Sequence, residues 1–206
     1  MKVLLTGAFG NIGTSTLDEL IRRGHTVRCF DIRTRRNERL ARRLARRHGG
    51  QVEVMFGDLR KPEDVNRAVV GQDAIVHLAF VIPKLSATGL NSEDDPDRAR
   101  AINVGGTRNL LLACREQSNH PAFLFASSLH IYGKTQNEPP PRTINDTPHP
   151  IEHYAHHKVE CEMLVQQSGL RWAILRLGAA LPVRLVLDPG MFDVPLAAAI
   201  QHRSPK

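Results

Sequence analysis

Apolar runs of strand length alternate with longer helix-patterned segments along most of this chain, and that alternation is what most restricts its fold. The runs fall at 2–6, 26–31, 51–56, 74–78, 122–126 and 172–176. Several are apolar at consecutive positions, as strands covered by helices on both faces must be. Between them, residues 11–23 read as a helix closed by Gly24, and 62–70 as a shorter helix with Pro62 in its first turn and Gly71 behind it. Residues 97–117 and 152–168 supply the later long helices. The expected fold class is α/β, a doubly wound parallel sheet, and 206 residues hold one such domain with little to spare. Pro139, Pro140, Pro141, Pro148 and Pro150 keep their segment out of helix and central strand. It is expected to be an extended loop at a strand end, where open α/β sheets keep their sites.

Composition removes several classes of function. Hydrophobic residues make up 41% and charged residues 24%, a globular balance rather than that of a disordered chain. Arg176, Arg184 and Asp188 break the long apolar region near the end, so no membrane helix is expected. The opening Met1-Lys2-Val3-Leu4-Leu5 gives way at once to Thr6-Gly7 with no small-residue cleavage site, which reads as mature structure in a cytoplasmic protein. Cys29, Cys114 and Cys161 stand far apart with no Cys-x-x-Cys pair and are expected as buried thiols. The net charge of +7 matches the eight arginines and one glutamate between residues 33 and 47, around an apolar stripe of Leu40, Ala41, Leu44 and Ala45. That pattern is a solvated helix face. With aromatics at only 5% there is little on which nucleic-acid bases could stack, and no nucleic-acid partner is expected.

The residues that carry chemistry begin where the first strand ends. Gly7-Ala8-Phe9-Gly10-Asn11-Ile12-Gly13 is a G-x-x-G-x-x-G turn opening a helix. Glycines there allow a tight turn and close approach of a pyrophosphate, which the helix N-terminus attracts. Asp31 ends the second strand, where a carboxylate can take both hydroxyls of an adenosine ribose; this favours NAD over NADP. Arg33, Arg35 and Arg36 follow at once and could instead neutralise a 2′-phosphate. Asp58, before Leu59 at the end of the third strand, is placed to reach adenine or to cap the helix near Pro62. Tyr154 and Lys158 lie four apart on a helix and share a face. A nearby cation favours phenolate, and bringing a tyrosine pKa from about 10 to near 7 needs roughly 4 kcal/mol. Tyr154 could then serve as acid or base, with Ser128 at the end of the fifth strand beside it. His153 and His157 have helical metal-pair spacing without a glutamate between them, and no metal is expected. The histidines around Tyr154 read as solvated, and His130 and Tyr132 as facing either substrate or core.

Taken in order, these motifs resemble the extended branch of the short-chain dehydrogenase/reductase superfamily, which contains sugar-nucleotide epimerases and dehydratases. The similarity covers about residues 1 to 178. It rests on Gly7-x-x-Gly10-x-x-Gly13, Asp31, Asp58-Leu59, His77-Leu78-Ala79, Asn103-Val104-Gly105-Gly106-Thr107, Ser127-Ser128-Leu129-His130-Ile131-Tyr132-Gly133 and Tyr154-x-x-x-Lys158. The resemblance implies a Rossmann domain over 1–180, with 181–206 the start of a truncated substrate-binding region. It implies that Ser128 hydrogen-bonds the reacting oxygen, that Tyr154 is the acid/base, and that Lys158 tunes the tyrosine and holds the nicotinamide ribose. Leu78, Ala79 and Asn103 would line the cofactor groove. Phe80 departs from the pattern, standing where a second alanine is usual, and so does Leu175-Arg176-Leu177-Gly178, where Leu-Arg-Pro is usual.

The implied function is NAD-dependent hydride transfer on a sugar nucleotide or similar hydroxylated small molecule. The alternative is a non-catalytic cofactor-binding regulator of the same fold. The apolar residues between Val183 and Leu196 are expected to promote association, as in a homodimer.

Overall fold

In the computed structural model the described residues are 1–83, 89–134 and 143–178. The expected region beginning at residue 181, with its apolar 183–196 segment, lies outside them. The described residues form a six-stranded sheet in the order β3-β2-β1-β4-β5-β6, parallel throughout. The strands are β1 (Lys2–Thr6), β2 (Thr26–Asp31), β3 (Val52–Phe56), β4 (Ala74–His77), β5 (Ala122–Ser128) and β6 (Trp172–Leu177). Helices α1 (Asn11–Arg22), α2 (Arg35–His48), α3 (Pro62–Val69), α4 (Pro96–Arg100), α5 (Gly106–Arg115) and α6 (His153–Gln166) connect them.

Successive strand residues serve opposite helix layers, as the pleat requires. Leu4 packs in a core with Val65 and Ala68 of α3, Leu110 of α5, Cys161 of α6 and Phe123 and Phe125 of β5. Its neighbour Leu5 packs on the other face with Leu17 of α1, Ala41 of α2, Val27 and Cys29. All three cysteines are buried thiols. On α2 the stripe is narrower than expected, since Ala45 is exposed while Ala41 is buried and Leu40 and Leu44 are half-buried; the arginines face outward. Thr34 accepts the Asn37 N–H at 3.0 Å and starts this helix.

The expected helix over 97–117 is present as one unbroken helical run over 96–115, in which a wider π turn at Ala101–Gly105 separates α4 from α5. The turn holds Asn103, whose side chain is buried against another segment. Gly106, where a Cβ would lie 2.7 Å from the Leu59 Cβ, lets α5 close onto Leu59. No described helix is long and apolar enough to cross a membrane.

Arg176 on β6 ties three elements together. Its Nη2 lies 2.7 Å from Glu162 Oε2 on α6, and its Nη1 donates to the Tyr132 hydroxyl at 2.6 Å. Tyr132 in turn donates to the Thr143 carbonyl at 2.8 Å. Bonds to Glu162, and then to Tyr132, hold the Arg176 pKa above its usual value. The Glu162 side chain is 5% exposed, so losing its partner strands a buried charge. Arg176→Met should therefore destabilise the fold by about 3–5 kcal/mol in urea unfolding, whereas Arg176→Met/Glu162→Leu should recover most of that loss. Equal destabilisation of the single and double variants would show that the ion pair is not the cause.

Candidate active site

The turn after β1 is built around missing side chains. Gly7 has φ of +66°, and a Cβ on it would lie 2.7 Å from the Ala79 nitrogen, because the backbone leaving β4 passes directly beside it. At Gly13 a Cβ would meet the Gly7 carbonyl oxygen at 2.1 Å, so α1 can approach β1 only with glycine there. A Cβ on Gly10 would meet only that carbonyl, at 3.3 Å. Gly10 provides no side-chain cap and the first turn of α1 has no acidic residue, which leaves its N–H groups facing an approach suited to an anion. Asn11 and Ile12 are exposed at this end, while Phe9 is buried in the core.

Phe9 contributes through its backbone. Its N–H donates to Asp31 Oδ2 at 3.1 Å and the Ile32 N–H to Oδ1 at 2.8 Å, which fixes the carboxylate plane at the end of β2 and leaves each oxygen a further acceptor site. Burial raises the Asp31 pKa, opposed by these two N–H bonds and by the Arg36 charge. Arg36 reaches the Phe9 carbonyl at 3.1 Å. Arg33 instead pairs with Glu38 at 2.7 Å and stacks on Phe56. Asp58 grips Arg60 through both oxygens and accepts the Arg60 N–H at 2.9 Å; the side-chain bond is the main cause of its lowered pKa. The cap position of α3 is Lys61. The side chain of Leu59 is in the core.

Thr6 Oγ1 accepts the N–H groups of Leu78 and Ala79, both at 3.2 Å. Its proton is left for His77 Nδ1, 2.7 Å away, so the imidazole proton is on Nε2 and donates to Thr107 Oγ1 at 3.0 Å. Burial, with the Lys158 charge, pushes the His77 pKa down to about 3, in keeping with a neutral ring. Thr107 passes its proton to the Asn103 carbonyl at 2.6 Å. Asn103 then clasps residue 81 from both sides, donating to the Val81 carbonyl at 3.0 Å and accepting its N–H at 2.7 Å. Leu78, Ala79 and Asn103 thus form one hydrogen-bonded wall beside the glycine turn.

Across the crevice Ser128 is the last residue of β5, and its Oγ accepts the His130 N–H at 3.2 Å. The Tyr154 phenol lies near enough for Ser128 to act on its pKa. Burial raises the Tyr154 pKa and the Glu152 charge adds to this, against the nearby Ser128 hydroxyl. The sequence suggested that Lys158 would lower it, but the ammonium is engaged elsewhere. Nζ donates to the Ala126 carbonyl at 2.6 Å and lies 3.4 Å from the Phe80 ring centroid, 4.8 Å from Phe125 and 5.6 Å from Tyr154. Burial brings the Lys158 pKa down to about 7.

His157 is buried rather than solvated, with Nδ1 3.4 Å from Asn103 Nδ2; His153 and His156 are exposed. Among the described residues no group of three His, Cys, Asp or Glu could hold a metal ion. His130 stands edge-on to Tyr154 at 5.9 Å and pairs with Glu152, whereas Tyr132 is a buried packing residue. Sequence reasoning missed the ring of Phe80 over Lys158 and the Arg176 anchor. Phe80 was visible only as a departure from a motif, and Arg176 only as a charge interrupting an apolar region.

Residues 3–181 match the model of the NAD dependent epimerase/dehydratase family. A 3 beta-hydroxysteroid dehydrogenase/Delta 5→4-isomerase of Mycobacterium tuberculosis is 35% identical over 136 residues, 66% of this chain and 34% of that protein. A D-erythronate dehydrogenase of Haemophilus influenzae is 27% identical over 196 residues, 92% of this chain and 56% of that protein. The solved UDP-glucose 4-epimerase of Thermus thermophilus in complex with NAD superposes with a TM-score of 0.67 at 29% identity, over 85% of this chain and 54% of that one. This chain therefore spans between 34% and 56% of the length of these three proteins.

Phe80 roofs Lys158, which is itself only 4% exposed. A desolvated cation–π contact is worth about 2 kcal/mol, so Phe80→Ala should speed labelling of Lys158 by an amine-reactive reagent by about tenfold or more, read by peptide mass spectrometry. An unchanged labelling rate would mean that the ring does not seal the ammonium.

Proposed function

Because the chain belongs to the NAD dependent epimerase/dehydratase family, we propose that it binds NAD across the C-terminal ends of β1, β2 and β4 and acts on a secondary alcohol of a small hydroxylated molecule, in the class of sugar nucleotides. The observation that carries this reading is the grouping of Ser128 at the end of β5 with Tyr154 and Lys158 one turn apart on α6, the ammonium 5.6 Å from the phenol ring. The chain's own groups fit the dinucleotide. The turn at Gly7 to Gly13 accommodates a pyrophosphate, and Asp31 is held by two N–H groups with a lone pair to spare on each oxygen. Asn11 and Ile12 flank the pyrophosphate approach. Leu78, Ala79 and Asn103 wall the groove, while the Asp58-Leu59 strand end lies on the adenine side. Arg33 is spent on Glu38, which supports NAD over NADP.

NAD, when bound, supplies the hydride acceptor. Tyr154 holds or receives the proton at the substrate oxygen, and Ser128 donates a hydrogen bond to the same oxygen. Lys158 must leave Phe80 to reach a ribose hydroxyl, and its charge then bears on the phenol. Bringing that phenol from above 10 to near neutrality needs more than about 4 kcal/mol, because burial works against it. A purely regulatory role gains no support from the joint presence of all three groups.

Two measurements test this. Calorimetric titration should show NAD binding at least about tenfold tighter than NADP, a difference of about 1.4 kcal/mol, and Asp31→Asn should erase most of the preference. Tighter NADP binding would transfer the ribose role to Arg36. Tyr154→Phe should lower turnover by about two orders of magnitude while NAD affinity stays within a few-fold, assayed with UDP-glucose, D-erythronate and a 3β-hydroxysteroid as probes. Normal turnover by that variant would remove Tyr154 from the chemistry.

A further inference from the structure

We infer that Glu93 is a positioning residue for Tyr154: from a segment remote in sequence, its carboxylate caps α6 on the amide of the tyrosine itself and so sets where the phenol stands. The inference rests on the reading of Tyr154 as the proton-transfer residue. A helix start leaves N–H groups without intrahelical partners. At α6 the residue that should cap them, Glu152, makes no side-chain cap bond and instead pairs with His130 at 3.1 Å. Glu93 fills the place. Its Oε2 accepts the His153 N–H and its Oε1 the Tyr154 N–H, both at 3.0 Å.

The carboxylate is fixed from its own side as well. Ser92 Oγ donates to Oε1 at 3.0 Å, and the Glu93 N–H is held by Asn91 Oδ1 at 3.1 Å. Burial works to raise the Glu93 pKa, but the N–H groups of Tyr154 and His153, the Ser92 hydroxyl and the His153 charge outweigh it and hold it below the usual carboxylate range. The positive end of the α6 dipole favours the same charge.

A cap here acts selectively. Tyr154 is the second residue of α6, so its Cα moves if the first turn frays. Lys158 lies a full turn further in, anchored on the Ala126 carbonyl and packed against Phe80 and Phe125. Misplacing a reacting group by about an ångström can cost about two orders of magnitude in rate. Loss of Glu93 should therefore disturb the proton-transfer group while leaving cofactor affinity intact.

The test compares Glu93→Ala and Glu93→Gln with the wild-type chain. The chain has two tyrosines, Tyr132 and Tyr154, so ultraviolet titration resolves both phenols, and Tyr154→Phe assigns them. In Glu93→Ala the Tyr154 titration should fall back toward about 10, its value free of burial. Amide exchange at His153 and Tyr154 should accelerate by about tenfold or more, with NAD affinity within about twofold of wild type. Glu93→Gln keeps one carbonyl acceptor and should restore part of both effects; its smaller shift carries the test if the alanine variant does not fold. A lower melting temperature with an unmoved Tyr154 titration in both variants would make Glu93 a structural cap only and overturn the inference. Should Tyr154→Phe keep normal turnover while Glu93→Ala still moves the titration, the catalytic reading fails and the positioning stands.

Discussion

Strand order reverses at β1, and the close passage of chain at that point shapes the rest of the molecule. From β1 the chain builds outward to β2 and β3, then returns to β4 on the other side, so no connection covers the ends of β1 and β4. The crevice there is narrow. The backbone leaving β4 passes so close to that leaving β1 that Gly7 cannot carry a Cβ, and Thr6 binds both strand ends together through the N–H groups of Leu78 and Ala79. Everything further along the hydrogen-bond chain, from His77 through Thr107 to Asn103 and Val81, is placed relative to that junction.

Lys158 illustrates what the interior of such a crevice does to charge. A fully hydrated ammonium has been exchanged for one carbonyl and two aromatic faces, and burial brings its pKa down to about 7. The nearby Glu162 pulls the other way, yet Glu162 is already neutralised by Arg176. The lysine is thus a cation whose charge is weakly held, beside a phenol whose proton burial holds more tightly. A negatively charged ligand entering the groove would hold the lysine's charge more firmly, because it supplies the partner that burial denies.

The six strands were legible because a parallel sheet between two helix layers demands apolar residues at successive positions, and Leu4 and Leu5 show why, each serving a different core. The glycine turn was legible for a steric reason that a sequence carries directly. The wider turn at residues 101–105 was not, since Ile102, Asn103 and Val104 fit helical periodicity and only the bonds of Asn103 to Val81 reveal the inward turn. Proximity on α6 was read correctly for Tyr154 and Lys158, but helical spacing says where two Cβ atoms lie and nothing about which way a long side chain turns. Phe80, on another element, decided that. Glu93 was invisible for a related reason, because a cap supplied from about sixty positions away leaves no local signature.

The three central side chains consequently stand on unequal footing. The backbone of Ser128 is paired into the sheet opposite Leu177, and Lys158 lies a full turn inside α6, packed against Phe80 and Phe125. Tyr154 stands in the first turn of α6, where helices open most readily, and is held by a carboxylate from one segment and ring contacts with Phe80 and His130. Its neighbours Glu152 and His130 form their own exposed pair at the same edge. Whatever approaches from that side meets the member of the site that stands in a helix's first turn, where a polar cap joins the ring contacts in setting its position. A substrate that engages those contacts can therefore adjust the proton-transfer group without altering the cofactor groove.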